Sequence, residues 1–184
     1  MQHISVGSSF SASASSLRRT YTLALTGVLI AMQLALSSVA VYVTADMRIT
    51  FGFLTIAATA TLFGPVVAGV HGALADILAY FLFPAGGAYF PGYTLTALLV
   101  GLLYGLFFYR RKVHLWHVLV AQLVVDLLCH VLLNTLWRSM TGGSAMMALL
   151  PVRLLKNALC YPVNCALLYF LHRLLRRLPA SLKR

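Results

Sequence analysis

Residues 47–91 read MRITFGFLTIAATATLFGPVVAGVHGALADILAYFLFPAGGAYFP. The stretch is almost wholly apolar, yet it holds Arg48 and Asp76 and is interrupted by Gly64-Pro65 and Gly86-Gly87. Taken as one helix, Phe51 to Phe83 would be about 50 Å long, far beyond the roughly 30 Å hydrocarbon core of a bilayer. Proline ends the helix before it and is well placed to start the next. Gly64-Pro65 therefore predicts a short helix ending near Phe63 and a longer one from about Gly64 to Phe83. A charge inside a membrane span is costly and marks a functional site by default, and Asp76 is such a charge.

Composition agrees with a membrane setting. The chain is 61% hydrophobic and 9% charged, against about 25% charged in a soluble domain. Several apolar runs exceed the roughly 18 residues that mark a span, and they are continuous rather than alternating, which argues against a closed barrel. The expectation is an all-α integral membrane protein of six transmembrane helices. The net charge of +11 invites a nucleic-acid reading, but the cations sit at span ends, where they retain loops in the cytoplasm and meet anionic lipid. Cys129, Cys160 and Cys165 fall inside predicted spans without a C-x-x-C pair and read as small packing residues.

Along the chain, residues 1–16 are Ser-rich and are expected to be a disordered tail. Ser16-Leu17-Arg18-Arg19 has a trace of a twin-arginine export signal, but the apolar run behind it is too long for a signal core and reads as a retained first helix, Thr20 to Val43. Residues 17–178 form the predicted six-helix domain, and 179–184 a basic tail. Beyond the two helices already described, the turn-rich segment Pro84 to Gly92 precedes a fourth helix ending at Tyr109. A fifth spans Leu115 to Trp137, and a sixth Met147 to Leu174. Six spans put both termini on one side. Of the 14 Lys and Arg, Arg18, Arg19, Arg110, Arg111, Lys112, Arg173, Arg176, Arg177, Lys183 and Arg184 then share the terminal side, which predicts cytoplasmic termini. Arg48, Arg138, Arg153 and Lys156 remain outside, where topology does not require them.

The polar groups within spans carry the functional signal. Gln122, Asp126, His130, Asn134 and Arg138 recur every four residues and form one slanting stripe on an otherwise Leu/Val-rich helix. Facing lipid would be expensive, so the stripe should face the bundle interior or a wet cavity. Gln122 and Asp126 read first as interhelical glue, and His130 and Asn134 at least equally as ligand groups. Asp76 lies roughly 18 Å along its helix from Gly64, and His71 is deeper and reads as a structural donor. Arg153 and Asn157 share a face of the sixth helix. Asp76, Asn134, Arg153 and Asn157 thus converge at similar depth, as a buried ion pair with polar neighbours or as an outward-opening pocket. Gly27, Ala31 and Ala35 put small side chains on one face of the first helix, for packing within the bundle or for docking a separate membrane subunit. Catalysis fits poorly, since there is no H-E-x-x-H, G-x-S-x-G or P-loop motif and no glutamate. No metal or cofactor is expected.

The order and spacing of several blocks resemble the substrate-binding S components of energy-coupling factor (ECF) vitamin transporters. Leu62-Phe63-Gly64-Pro65-Val66-Val67 is shared across S components. Leu82-Phe83-Pro84-Ala85-Gly86-Gly87-Ala88-Tyr89-Phe90-Pro91-Gly92, Leu133-Asn134-Thr135-Leu136-Trp137 and Arg153-Leu154-Leu155-Lys156-Asn157 are similar to the folate-specific members. Met47 to Leu54, Gly72 to Leu78 and Tyr93 to Ala97 match in the same order. The resemblance covers roughly Arg18 to Leu175. It implies a high-affinity binding subunit in the bacterial plasma membrane. Such a subunit docks on a membrane scaffold (T) subunit and two ATP-binding-cassette ATPases, topples to release its vitamin inside, and leaves ATP hydrolysis to its partners. It also implies that Gly27, Ala31 and Ala35 are a docking face. His71, Asp126 and His130 are more charged and imidazole groups than such helices usually carry.

Folate suits these residues. Its pterin offers adjacent N–H donors that Asp76 or Asn134 can accept. Its flat rings need aromatic walls, available from Phe51, Tyr89, Phe90, Tyr93 and Trp137. Its dianionic tail needs cations, available from Arg48, Arg138, Arg153 and Lys156. Thiamine, a cation, would be served badly, and riboflavin would leave the arginines unexplained. Two alternatives stay open to the sequence: the same fold holding another anionic vitamin or precursor such as pantothenate, or a six-helix membrane protein with no exchangeable ligand.

Overall fold

The computed structural model describes residues 6–38, 41–44, 47–49, 51–83, 89–111, 113–142 and 146–177. Most of the turn-rich segment, residues 84–88, and the basic tail 179–184 lie outside the described residues, as do the side chains of Arg48, Arg153 and Lys156.

The order of elements is α1 (Val6–Ser16), α2 (Thr20–Ser38), β1 (Val41–Thr44), β2 (Met47–Ile49), α3 (Phe53–Phe63), α4 (Pro65–Leu82), α5 (Pro91–Phe108), α6 (Leu115–Val125), a π-helical segment (Asp126–Leu133), α7 (Asn134–Gly142) and α8 (Met146–Arg177). The all-helical membrane bundle expected from composition is present. Among the described residues, five helical stretches are long and apolar enough to cross a bilayer: Thr20–Ser38, Pro65–Leu82, Pro91–Phe108, Leu115–Thr141 and Asn157–Arg177. The predicted short second helix is α3, whose 11 residues reach only roughly 16 Å and fall short of a full span.

The Gly-Pro break acts as its chemistry dictates. Gly64 adopts φ 91°, open to glycine at little cost, and Pro65 occupies the first turn of α4. Here the structure corrects one expectation. The Ser-rich stretch read as disordered is helical from Val6 to Ser16, because Ser13 ties it to this break. The Ser13 hydroxyl donates to Phe63 O at 2.8 Å and accepts from Val66 N at 3.1 Å and Val67 N at 3.3 Å. One hydroxyl thus serves a C-terminal carbonyl of α3 and two N-terminal amides of α4, groups that have no partner within their own helices.

A second correction concerns the first span. It ends at Ser38, and Val41–Thr44 pairs antiparallel with Met47–Ile49, with Tyr42 opposite Arg48. The β-branched and aromatic run Val41-Tyr42-Val43-Thr44 suits a strand better than a further helical turn.

α4 and α5 form the closest pair in the bundle. A Cβ on Gly72 would collide with Ala97 O, and one on Gly101 with Ala68 O. Small residues at a membrane helix interface allow this approach, and dispersion rather than water exclusion then holds the pair. The packed interior, including Ile56, Ala57, Ala60, Ala68, Val100, Tyr104, Phe108 and Leu168, lies between α3, α4, α5, α6 and α8. Large apolar side chains such as Trp116, Leu159 and Phe170 stay on the outer surface, where lipid tails are their solvent.

Candidate functional site

A cavity of about 380 Å³ opens among α2, α3, α4, α5, the continuous run of α6, the π-helical segment and α7, and α8. Its polar wall comprises Gln33, Asp76, Tyr93, Thr96, Asn157 and Asn164 together with the stripe residues Gln122, Asp126, His130 and Asn134. The stripe reaches a single cavity because the helix changes its winding. In an α-helix four residues overshoot one turn by about 40°, so a four-residue repeat drifts around the axis. Over Asp126–Leu133 the backbone is π-helical, and its i→i+5 bonding widens the turn and takes back the drift. Arg138, the last member of the stripe, lies exposed on α7 and is not part of the wall.

Several wall groups are held by partners behind them. The close α4–α5 contact brings the Thr94 hydroxyl to Asp76, where it donates to Oδ2 at 2.7 Å, and Tyr89 OH lies 2.6 Å from that hydroxyl. Tyr104 OH donates to Gln122 Oε1 at 2.8 Å, and Gln122 Nε2 donates to both Asp126 oxygens at 3.0 and 3.1 Å. Gln33 Oε1 lies 2.8 Å from His71 Nε2, and His71 Nδ1 lies 2.7 Å from Thr59 Oγ1. Since a carbonyl only accepts, His71 donates from Nε2 to Gln33, and its Nδ1 competes with Thr55 O, 2.9 Å away, for the single Thr59 hydroxyl proton. The Gln33 carbonyl is thereby committed to the bundle interior, and its amide nitrogen is left for the cavity.

One wall atom is different. Asn134 Oδ1 is buried with no hydrogen-bond partner among the described residues. A sequestered acceptor of this kind costs stability, and it lines the same cavity as the Asp76 carboxylate.

An aromatic cluster stands beside this wall. Phe90 and Trp137 pack with ring centroids 5.6 Å apart, and Phe90 and Tyr93 with theirs 6.0 Å apart. Trp137 Nε1 donates to Thr96 Oγ1 at 3.0 Å, which fixes the indole against α5. Gly92 sits beneath the cluster, where a Cβ would strike both the Phe90 and Trp137 rings.

The profile of the family described as ECF-type riboflavin transporter, S component, matches residues 18–156. The chain belongs to the S components of ECF transporters. Two curated relatives named folate transporter FolT are similar to it. The protein from Clostridium novyi (strain NT) is 39% identical over 132 residues, 72% of this chain and 76% of that protein. The one from Leuconostoc mesenteroides subsp. mesenteroides is 30% identical over 153 residues, 78% of this chain and 82% of that protein. Among solved structures, the crystal structure of FolT bound with folic acid superposes with a TM-score of 0.77 at 36% identity, covering 83% of this chain and 93% of that one. The S component is thus a multi-pass membrane transporter subunit and not an enzyme.

Of the residues the sequence singled out, Asp76, Tyr93, Asn134 and Asn157 line the S component's cavity. Phe90 and Trp137 form the neighbouring aromatic cluster, and exposed Tyr89 reaches the cavity only through Thr94. Phe51 is half-buried next to Gly52, which is part of the lining. For Arg48, Arg153 and Lys156 only the backbone is described, with Arg153 one helical turn from Asn157. Gln122 and Asp126 fit the reading as glue through Tyr104, and they also face the cavity. The sequence reading passed over Gln33 and Thr96. Gln33 is a lone amide in an apolar span, which is the same signal that marked Asn134.

Proposed function

We propose that this S component binds folate at the outer face of a bacterial plasma membrane and delivers it inward as part of an ECF importer. The observation that carries the reading is the unpartnered Asn134 Oδ1, buried in the same cavity as the Asp76 carboxylate. Two acceptors on one cavity suit a ring edge rich in N–H donors, and a pterin presents such an edge. The amide nitrogen of Gln33 supplies a donor for the ring's own acceptors. Trp137, Phe90 and Tyr93 offer the flat apolar surface that the ring and aminobenzoate need. Similarity to two folate transporters and to a folic-acid-bound structure supports the same ligand. The glutamate tail would meet Arg48, Arg138, Arg153 and Lys156, the cations in excess on the outer side.

The partners are a membrane scaffold subunit and two ATP-binding-cassette ATPases, which would hydrolyse the ATP. Gly27, Ala31 and Ala35 are all exposed on α2, and Gly27 has open space where a Cβ would stand. This face is unused by the bundle and suits close approach by a partner helix. The excess of basic residues on the terminal side supports cytoplasmic N- and C-termini.

Riboflavin is the second reading, favoured by the name of the matching family profile. Its imide also offers an N–H donor, but it has no carboxylates for the outer cations. The test is to purify the protein in detergent, denature it, and identify any released small molecule by absorbance and mass spectrometry, followed by titration of the empty protein with folate, riboflavin and pantothenate. Stoichiometric folate, or saturable folate binding alone, supports the proposal. Binding of riboflavin or pantothenate with no response to folate sinks it.

A further inference from the structure

A second cavity, of about 680 Å³, lies at the opposite end of the bundle from the site above. Four arginines line it from three separate segments: Arg19 before α2, Arg110 and Arg111 after α5, and Arg176 at the end of α8. Among the described residues its lining includes no Asp or Glu, and the whole chain has only three Asp and Glu residues. Cations gathered at one cavity repel one another, and a bound anion relieves the repulsion.

The cavity has a fixed frame. One wall is α1, whose Ser15 and Ser16 face the cavity while buried Ser13 anchors the helix to the α3–α4 break. Arg176 is held by Val113 O, and Arg110 lies over the Tyr109 ring at 5.2 Å. Arg110 also adopts φ 54°, a left-handed conformation that is uncommon for a residue with a side chain and tends to persist where function requires it. Retention of basic loops on one side requires charge but no convergence. Arg18, Arg173 and Arg177 meet that requirement from the same end, and of these three none lines the cavity.

We infer that this cavity is a second binding site, for a phosphate-bearing anion. Guanidinium groups match phosphate oxygens in geometry and charge, and Phe63 and Leu175 provide apolar wall for a non-phosphate portion. On the topology proposed above, the site lies at the level of the cytoplasmic headgroups. Its phosphate therefore comes from an anionic phospholipid or from a soluble phosphate compound.

The experiment compares delipidated wild-type protein with an Arg19→Ala/Arg111→Ala variant and an Arg173→Ala/Arg177→Ala control, each confirmed as folded by circular dichroism. Thermal stability is followed during titration with micellar phosphatidylglycerol, phosphatidylcholine, glycerol 3-phosphate or inorganic phosphate. The wild type should be stabilised saturably by phosphatidylglycerol and not by phosphatidylcholine. The half-saturating concentration should rise at least tenfold in the cavity variant and hold within twofold in the control. Stabilisation by glycerol 3-phosphate or inorganic phosphate, lost in the same variant, also supports the site and assigns it to a soluble ligand. Equal responses to the two lipids, equal weakening in the control, or no response to any phosphate would overturn the proposal.

Discussion

His71 Nε2 lies 2.8 Å from Gln33 Oε1, so a histidine on α4 decides which end of an amide on α2 faces the cavity. The imidazole is itself oriented by Thr59, with Oγ1 2.7 Å from Nδ1. This relay turns the Gln33 amide into a donor toward the ligand. Gln33→Glu keeps the shape and replaces that donor with an acceptor. Folate affinity should fall at least tenfold, about 1.4 kcal/mol, as read by calorimetric titration of the purified subunit. Affinity within twofold of wild type would take Gln33 out of ligand contact.

Asn134 allows binding and folding to be separated. Its buried Oδ1 lacks a partner among the described residues, and such an atom costs about 1–3 kcal/mol. Asn134→Leu removes the unpaired acceptor at similar volume. Without ligand, the variant should melt at the wild-type temperature or higher, while folate affinity drops at least tenfold. A residue conserving only packing would show the reverse, with lowered melting temperature and unchanged affinity.

The same physics explains what could be read in advance. Apolar run length and Gly64-Pro65 marked α3 through α8, because a bilayer sets span length and proline ends helices. The β1–β2 hairpin was hidden, since Val41-Tyr42-Val43 continues an apolar run and apolarity alone does not separate strand from helix. α1 was hidden because its helicity depends on a distant contact, Ser13 with Phe63 and Val66, and not on its own hydrophobic pattern. The π-helical turn has no residue signature, yet it lets Gln122 and Asn134 serve one cavity. Within the site, Asp76, Asn134 and Asn157 were legible as polar groups in apolar spans. The aromatic residues were less so, because rings suit lipid, core and ligand alike: Tyr93 lines the wall, whereas Tyr89 is exposed beside it.

Arg153 sits four residues before Asn157, on the same face of α8, and Asn157 lines the cavity. If Arg153 meets the glutamate tail, its loss should matter only for ligands that have the tail. Arg153→Ala should weaken folate at least tenfold and leave pteroate, which lacks the glutamate, within twofold. Parallel losses for both ligands in calorimetry would assign Arg153 to the frame of the site instead.

Ser13 caps α4 from another helix, accepting from Val66 N and Val67 N while donating to Phe63 O. Ser13→Ala leaves those three backbone groups short of a partner, and cap removal typically costs about 1 kcal/mol, with a range of about 0.5–2. The melting temperature should fall and α1 should become accessible to protease, with folate affinity unchanged because the cavity lies at the other end. A variant as stable and as protease-resistant as wild type would show that α1 is held by other contacts.

The exposed face of Gly27, Ala31 and Ala35 separates capture from transport. A bulky side chain there meets no neighbour inside the subunit, since even a Cβ on Gly27 has open space around it, so the fold and cavity should tolerate it. A partner helix approaching across small residues would be held off by several ångströms, and most of its dispersion contact would go with the separation. Gly27→Leu/Ala31→Leu should therefore bind folate within twofold of wild type in detergent. It should also fail to copurify with the scaffold and ATPase subunits and support less than a tenth of wild-type folate uptake in cells. Normal uptake would mean that energising subunits engage a different face, whereas loss of folate binding by the isolated variant would mean that α2 shapes the cavity more directly than its exposure indicates.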